Sequence, residues 1–288
     1  MATGLLKGFW TFLNTDVRQL PWGELTKTGA EATKATLEAS KAFQEQAPKL
    51  QELALIAKDI EPFLKTLDSP IVQLAGAGLP FVSIAVTLAK VYLDHSKQEP
   101  TLTDSVVLVG QIAYLASLED VLSKSAQVKA ALGKTSLKKL IERQIIRLDT
   151  TTLTEIQAKK AQVCFHDSEL AQAFNQALLE ELQETELDKT ESQNFVDRVA
   201  WNTHRYLNQA LAEAADKVKP LAELYRTGGQ QVLEKYDSLD NYLRDCISPD
   251  STVPELRDRW RVFNESFTLK DIYVPPKARL LDRNGDPI

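Results

Sequence analysis

Residues Cys164-Phe165-His166-Asp167 place a thiol, an imidazole and a carboxylate within four positions. This is the set of groups that activates a cysteine nucleophile. The surrounding pattern predicts a helix, and side chains two positions apart on a helix point in different directions. We therefore expect Cys164 and His166 not to share a proton, and we interpret them as a structural thiol and an exposed histidine at a helix end.

Other chemical motifs are incomplete. Gly133-Lys134-Thr135 resembles the end of a phosphate-binding loop, but that loop needs a glycine where Val128 stands, and no apolar strand precedes it. The carboxylates Glu180 and Glu181 are predicted to lie on a charged helix surface, where nothing would raise a pKa. The histidines lack the spacing of metal ligands: His95, His166 and His204. The sequence predicts no enzyme site, cofactor or metal.

Composition restricts the class of protein further. The net charge of −6 argues against a nucleic-acid partner, because phosphate backbones attract basic surfaces. Two cysteines in 288 residues indicate no disulfide framework and predict a cytoplasmic location. The first twenty residues lack the basic and small-residue features of a signal peptide. Sparse glycine and proline, with abundant alanine, leucine, glutamate and lysine, favour an all-α fold.

The elements that would carry a function are apolar helices. Residues 69–89 contain no charge and are long enough to cross a bilayer, although a bend or break is expected at Pro80. Residues 101–123 form a second apolar helix, capped by Thr101 or Thr103. We predict that 69–93 and 101–123 make a central helical hairpin, either plain core or a latent membrane element. Its candidate membrane-active residues are Ile71, Val72, Leu74, Leu79, Pro80, Phe81, Ile84 and Val86.

Residues 3–15 predict a short helix whose apolar side chains cover more than half of its circumference. One interpretation is a helix packed into a groove of the bundle. The other is an amphipathic segment that inserts into a membrane or pairs with copies of itself. The residues concerned are Leu5, Leu6, Phe9, Trp10, Phe12 and Leu13.

The rest of the chain predicts further helices: 24–47, 49–67 (kinked or ended early by Pro62), short helices within 124–150, helical patterning over 153–187, then 190–216, 221–247 and 255–267. Trp201 is predicted to anchor two helices together. The helix near 137–148 has a basic side, either solvated or facing an anionic membrane or acidic partner. That side consists of Lys138, Lys139, Arg143 and Arg147.

The C-terminal residues 267–288, FTLKDIYVPPKARLLDRNGDPI, predict an extended segment. Around Ile272-Tyr273-Val274-Pro275 it resembles the connector that precedes the nucleotide-binding module in bacterial NACHT proteins, signalling NTPases of the STAND class. The resemblance implies an N-terminal effector or signalling region (1–148, a helical bundle; 149–265, a second helical region; 266–288, the connector). ATPase or GTPase activity would belong to a NACHT module beyond Ile288.

Residues 1–123 are similar in arrangement to the death-inducing bundles called HeLo-like, MLKL-like or Bell domains. This similarity implies an innate-immune role in antiphage defence and programmed cell death, by pore formation in a membrane after homo-oligomerisation. Expected partners are other copies of the chain, membrane lipids and the protein's own NACHT module, with membrane association after activation. The alternative is a non-enzymatic interaction or autoinhibitory module that recruits a separate effector.

Overall fold

The computed structural model describes residues 2–20, 22–25, 53, 55–96, 99–217, 260–262 and 265–267. The chain divides into two compact units, 1–230 and 231–288. The described part of the first unit is helical, which confirms the all-α prediction. Its ten helices are α1 (Ala2–Thr15), α2 (Trp22–Leu25), α3 (Ala57–Asp68), α4 (Phe81–Ser96), α5 (Leu102–Ser123), α6 (Ala126–Ala131), α7 (Leu137–Asp149), α8 (Glu155–Val163), α9 (Glu169–Gln183) and α10 (Lys189–Lys217).

Helix α5 is the centre of the first unit. Every residue from Asp104 to Leu118 is buried, so the helix is covered on all sides, as a helix that is apolar all round requires. Its neighbours include α1, α4, α8 and α10. The predicted cap at Thr101 is a capping box: the Thr101 side chain accepts the Asp104 N–H at 3.1 Å, and the Asp104 carboxylate accepts the Thr101 N–H at 3.0 Å.

The apolar stretch 69–93, which is free of charge up to Ala89, is not one helix. It begins with a 3₁₀ segment, Ile71–Gly76, passes through the non-helical residues 77–80, and continues as α4 from Phe81. Pro80 stands immediately before α4, where the missing N–H costs least. Gly78 has a φ of +58°, a conformation that other residues seldom adopt. The break that the sequence predicts at Pro80 is therefore present.

Helices on both sides of residue 148 pack into this unit. The Tyr114 ring lies 5.3 Å from the Phe174 ring, and its hydroxyl donates to Asn175 Oδ1 at 2.9 Å. Ser117 Oγ donates to the Val199 carbonyl at 2.6 Å. These interactions join α5 to α9 and α10. The domain boundaries proposed at residues 148 and 265 remain predictions.

Two predictions about single elements are corrected. Helix α3 does not end early at Pro62 but runs through it to Asp68, and its buried side chains, Phe63 and Leu67 among them, offset the one backbone hydrogen bond that proline removes. The kink at Pro62 stays a prediction. Residues 255–267 were expected to be helical, but β1 (Trp260–Val262) and β2 (Glu265–Phe267), in the second unit, pair as a short antiparallel ribbon.

Some predictions concern positions outside the described residues: the helix 24–47 beyond Leu25, the helices over 221–247 and the connector around 272–275.

Candidate functional site

Helix α1 lies in a groove formed by α4, α5 and α7. Its large apolar side chains are all buried: Leu5, Leu6, Phe9, Trp10, Phe12 and Leu13. The opposite side of the helix is exposed and carries Gly4, Lys7, Thr11 and Asn14. The two-sided pattern follows the helical period, so α1 is amphipathic, and in this structure its apolar face is covered by the protein.

Aromatic rings hold α1 against α4. The Tyr92 ring lies 5.8 Å from the Phe9 ring and 5.5 Å from the Phe12 ring, and Phe12 also lies 5.6 Å from the His95 ring. Burial raises the pKa of Tyr92. Gly8 admits this ring, because a Cβ added there would stand 2.1 Å from the Tyr92 hydroxyl oxygen. A side chain at position 8 would therefore force this contact to shift.

A buried polar chain connects α1 to the centre of the bundle. Trp10 Nε1 donates to Gln111 Oε1 at 2.5 Å, and Gln111 Nε2 donates to Gln144 Oε1 at 2.8 Å. Both glutamines are fully buried. Because a buried amide without a partner costs free energy, these bonds fix the position of α1 on α5 and α7 more narrowly than apolar packing would.

The segment after α1 is held on α3. Arg18, in the 3₁₀ turn Val17–Gln19, forms an ion pair with Asp68, and its Nη2 donates to the Leu64 carbonyl at 3.1 Å. This contact attaches the C-terminal end of α1 to a second helix. We call the α1 groove, the glutamine chain and this Arg18 contact together the α1 seat.

The hairpin candidates lie mainly in the core. Helices α4 and α5 pack against each other, and α4 is also covered by α1, α3 and α10. Of the eight predicted residues, five are buried: Ile71, Leu74, Phe81, Ile84 and Val86. Val72 and Leu79 are partly buried, and Pro80 is exposed. Among the described helices, α5 alone is long and apolar enough to span a bilayer, with 89% of its most apolar window inside the protein.

The basic side of α7 is partly exposed but mostly paired with acidic side chains, which corrects the interpretation of a simple solvated face. Lys139, Arg143 and Arg147 form ion pairs with carboxylates in the last turn of α9 and at Glu184, directly after it. Arg143 Nε lies 2.5 Å from Glu181 Oε1, and Lys139 Nζ lies 3.3 Å from Glu181 Oε2. Glu181 is fully buried, so it does not lie on a helix surface as predicted. Three of the four basic side chains are therefore already paired with carboxylates of the same chain.

Cys164 and His166 also differ from expectation. Cys164 directly follows α8, and His166 lies in a 3₁₀ turn. The Cys164 Sγ consequently lies 3.7 Å from the His166 Nε2. The His166 ring stacks on Trp201, with 3.5 Å between ring centroids. Trp201 is 65% exposed and is not the interhelical anchor that was predicted. Burial, together with the nearby His166, lowers the pKa of His204.

Within the described ranges, no group of three or more His, Cys, Asp or Glu side chains is arranged to hold a metal ion. Sequence reasoning missed Gln111 and Gln144. A signal was available for Gln111, because it is the one amide within the run of apolar and small residues from Ser105 to Leu118. The pairing of that amide with α7 depends on the fold.

A family model described as NACHT N-terminal Helical domain 3 matches residues 50–269, about three quarters of the chain. The chain belongs to this family. The membership confirms that this is an N-terminal helical region associated with NACHT proteins, and the helical domain itself is not the catalytic NTPase module. Neither the curated proteins nor the solved structures gave a significant match to the chain. The matched range begins after α1 and α2, so what α1 does is not inherited from the family description.

Proposed function

We propose that this NACHT N-terminal helical domain is the effector region of an immune receptor, and that α1 is its acting segment. When a NACHT module gathers several copies, α1 leaves its seat and inserts into a membrane. The observation that carries the proposal is the two-sided α1, whose bulky apolar face is buried as one continuous surface by a seat that also contains polar contacts. In this proposal the α4–α5 hairpin stays folded as the scaffold.

The apolar face of α1 would be buried to a similar extent in the protein and in a bilayer interface, so moving between them costs little apolar burial. Burying six large apolar side chains stabilises a state by roughly 9–18 kcal/mol relative to water. A bilayer interface offers comparable burial to an amphipathic helix. The cost of release is then mainly that of the polar contacts, namely the Trp10–Gln111 bond and the Arg18 pair with Asp68. A modest trigger is enough to change the balance.

Clustering supplies such a trigger. Linking copies raises the local concentration of α1, and weak membrane contacts then act together without any new interaction. A monomer would keep α1 seated, which agrees with the complete burial of its apolar face. The expected behaviour is a domain inert as a monomer and membrane-disrupting as an oligomer, with a cell-death outcome in antiphage defence.

The test is dye leakage from anionic vesicles, with the chain fused to a trimerising coiled coil. We expect leakage from the trimer, none from the unfused chain, and loss of leakage in Phe9→Glu. The matched control is Thr11→Glu, which places the same charge on the exposed face of α1. Because Phe9→Glu also disturbs the seat, the pair is repeated in a synthetic peptide of residues 2–20, where folding of the domain has no influence. Equal leakage from both variants in both formats would refute the proposal.

A second function is favoured by a different observation. Trp201 is exposed while held flat against His166, and such a rigid aromatic surface is typical of a protein-contact hot spot. The domain would then recruit a separate effector, and the buried hairpin would be plain core. Pull-down of a partner that Trp201→Ala abolishes, together with no vesicle leakage from the trimer, would favour this function.

A further inference from the structure

Glu119 lies in a groove near the C-terminal end of α5 that the proposed function does not use. The groove has a volume of about 320 Å³. One wall is the segment Ala75–Val82, which contains the non-helical residues before α4. A second wall is the end of α5, and a third is α10, which contributes Tyr206 and Gln209. The groove therefore lies where the charge-free stretch is interrupted.

The carboxylate of Glu119 has no counter-charge within the part of the chain that the structure describes. It is half-buried, and neither a hydrogen bond nor an ion pair reaches it from the described residues. The neighbouring Asp120, in contrast, pairs with Lys124 at 2.7 Å and accepts a hydrogen bond from Asn202 at 3.0 Å. Lys124, the basic residue that follows α5, is thus already paired with another carboxylate.

The groups facing Glu119 favour its neutral form. The 75–82 segment carries no titratable side chain. On α5 its neighbour is the negatively charged Asp120. On α10 its neighbour is the phenol of Tyr206, and burial raises the pKa of this group. The charge of Arg205, also on α10, lowers the pKa of Asp120. Burial and then the charge of Asp120 raise the pKa of Glu119 to about 7.

We propose that Glu119 makes the 77–80 connector a proton-responsive joint. With the carboxyl neutral, the connector closes against α5 and α10. With the carboxylate charged beside Asp120, water enters the groove and the connector opens, which loosens the start of α4. This inference does not depend on membrane insertion by α1.

The direction of the pH dependence follows from the raised pKa. The closed state binds the proton more tightly than an open state in which Glu119 has its ordinary pKa of 4.5. Closure is therefore complete below pH 4.5 and is lost as the pH rises through about 7. Between pH 6 and 8 the equilibrium constant for opening of the connector is expected to rise by up to about tenfold. The rise is smaller the more solvent screens the half-exposed Glu119.

The test is amide hydrogen exchange on the whole chain between pH 6 and 8, corrected for intrinsic exchange. The reporters are the N–H groups of Phe81 and Ile84, which donate to the Leu79 and Pro80 carbonyls at 2.8 and 3.1 Å. Their protection should fall with pH in the wild type and stay constant and high in Glu119→Gln. Glu142→Gln, which removes an exposed carboxylate on α7, should keep the wild-type pH dependence.

A carbon-detected NMR titration of the Glu119 carboxyl gives an independent readout. A midpoint near pH 7 that moves lower in Asp120→Asn supports the joint. A midpoint near 4.5, or a Glu119→Gln variant with the same pH dependence of protection as the wild type, would overturn it.

Discussion

Substituting Gly8 with alanine tests whether α1 is seated as described. An added Cβ would stand 2.1 Å from the Tyr92 hydroxyl oxygen and 3.1 Å from the ring carbon that carries it, so something must move. Tyr92 has little room to turn, because its ring packs against both the Phe9 and the Phe12 rings. The strain falls on the contact between α1 and α4.

Two effects of opposite sign decide the magnitude. Alanine in place of glycine inside a helix stabilises it by about 1 kcal/mol. Overfilling a packed contact costs about 1–3 kcal/mol. Gly4→Ala is the matched control, because its added Cβ would meet nothing within 4 Å and only the favourable effect remains. Gly8→Ala should therefore be less stable than Gly4→Ala by roughly 1–3 kcal/mol.

Removing the obstructing atom should rescue the variant. Tyr92→Phe deletes the hydroxyl, which forms no hydrogen bond within the described ranges. The double variant Gly8→Ala/Tyr92→Phe should regain most of the loss, giving a coupling energy of about 1–2 kcal/mol. Urea unfolding measures the energies, and hydrogen exchange on α1 locates the effect. Equal stability of the two alanine variants, or no coupling with Tyr92→Phe, would refute the described seat.

Two further substitutions probe the polar contacts. Arg143→Ala leaves the fully buried Glu181 with Lys139 as its remaining charged partner. It should lower the free energy of unfolding in urea by about 3 kcal/mol. The control Lys138→Ala, at an exposed position of α7, should change this free energy by less than about 0.5 kcal/mol. Similar effects of the two would contradict the buried pairing. Trp10→Phe keeps an aromatic ring but removes the indole N–H, which leaves the amide oxygen of Gln111 without its donor. It should lower the free energy of unfolding by about 1–3 kcal/mol. An unchanged stability would show that this hydrogen bond does not hold α1.

Local signals in the sequence predicted individual elements well. The apolar run of 101–123 predicted α5, and the cap is Thr101, one of the two threonines that the sequence offered; both features depend on neighbouring residues. The break at Pro80 was predictable for the same reason. Helix α10, Lys189–Lys217, agrees closely with the predicted 190–216.

Interactions between distant segments could not be predicted. The sequence could not show the pairing on the basic side of α7, because its carboxylate partners lie about forty residues later, at the C-terminal end of α9 and directly after it. The Trp10–Gln111 bond joins residues 101 positions apart. Periodicity also placed a helix over 255–267, where the described residues form a ribbon, because short amphipathic runs suit either structure.

The most direct test of the central claim follows Trp10 into lipid. A variant of the trimerised chain keeps Trp10 as its only tryptophan, with the other three replaced by phenylalanine (Trp22, Trp201 and Trp260). It is mixed with vesicles whose acyl chains carry bromine, which quenches nearby indoles. We expect Trp10 fluorescence to be quenched in the trimer and unaffected in the monomer. Trimers that bind the vesicles with Trp10 unquenched would show that α1 stays in its seat, and the proposal would be wrong.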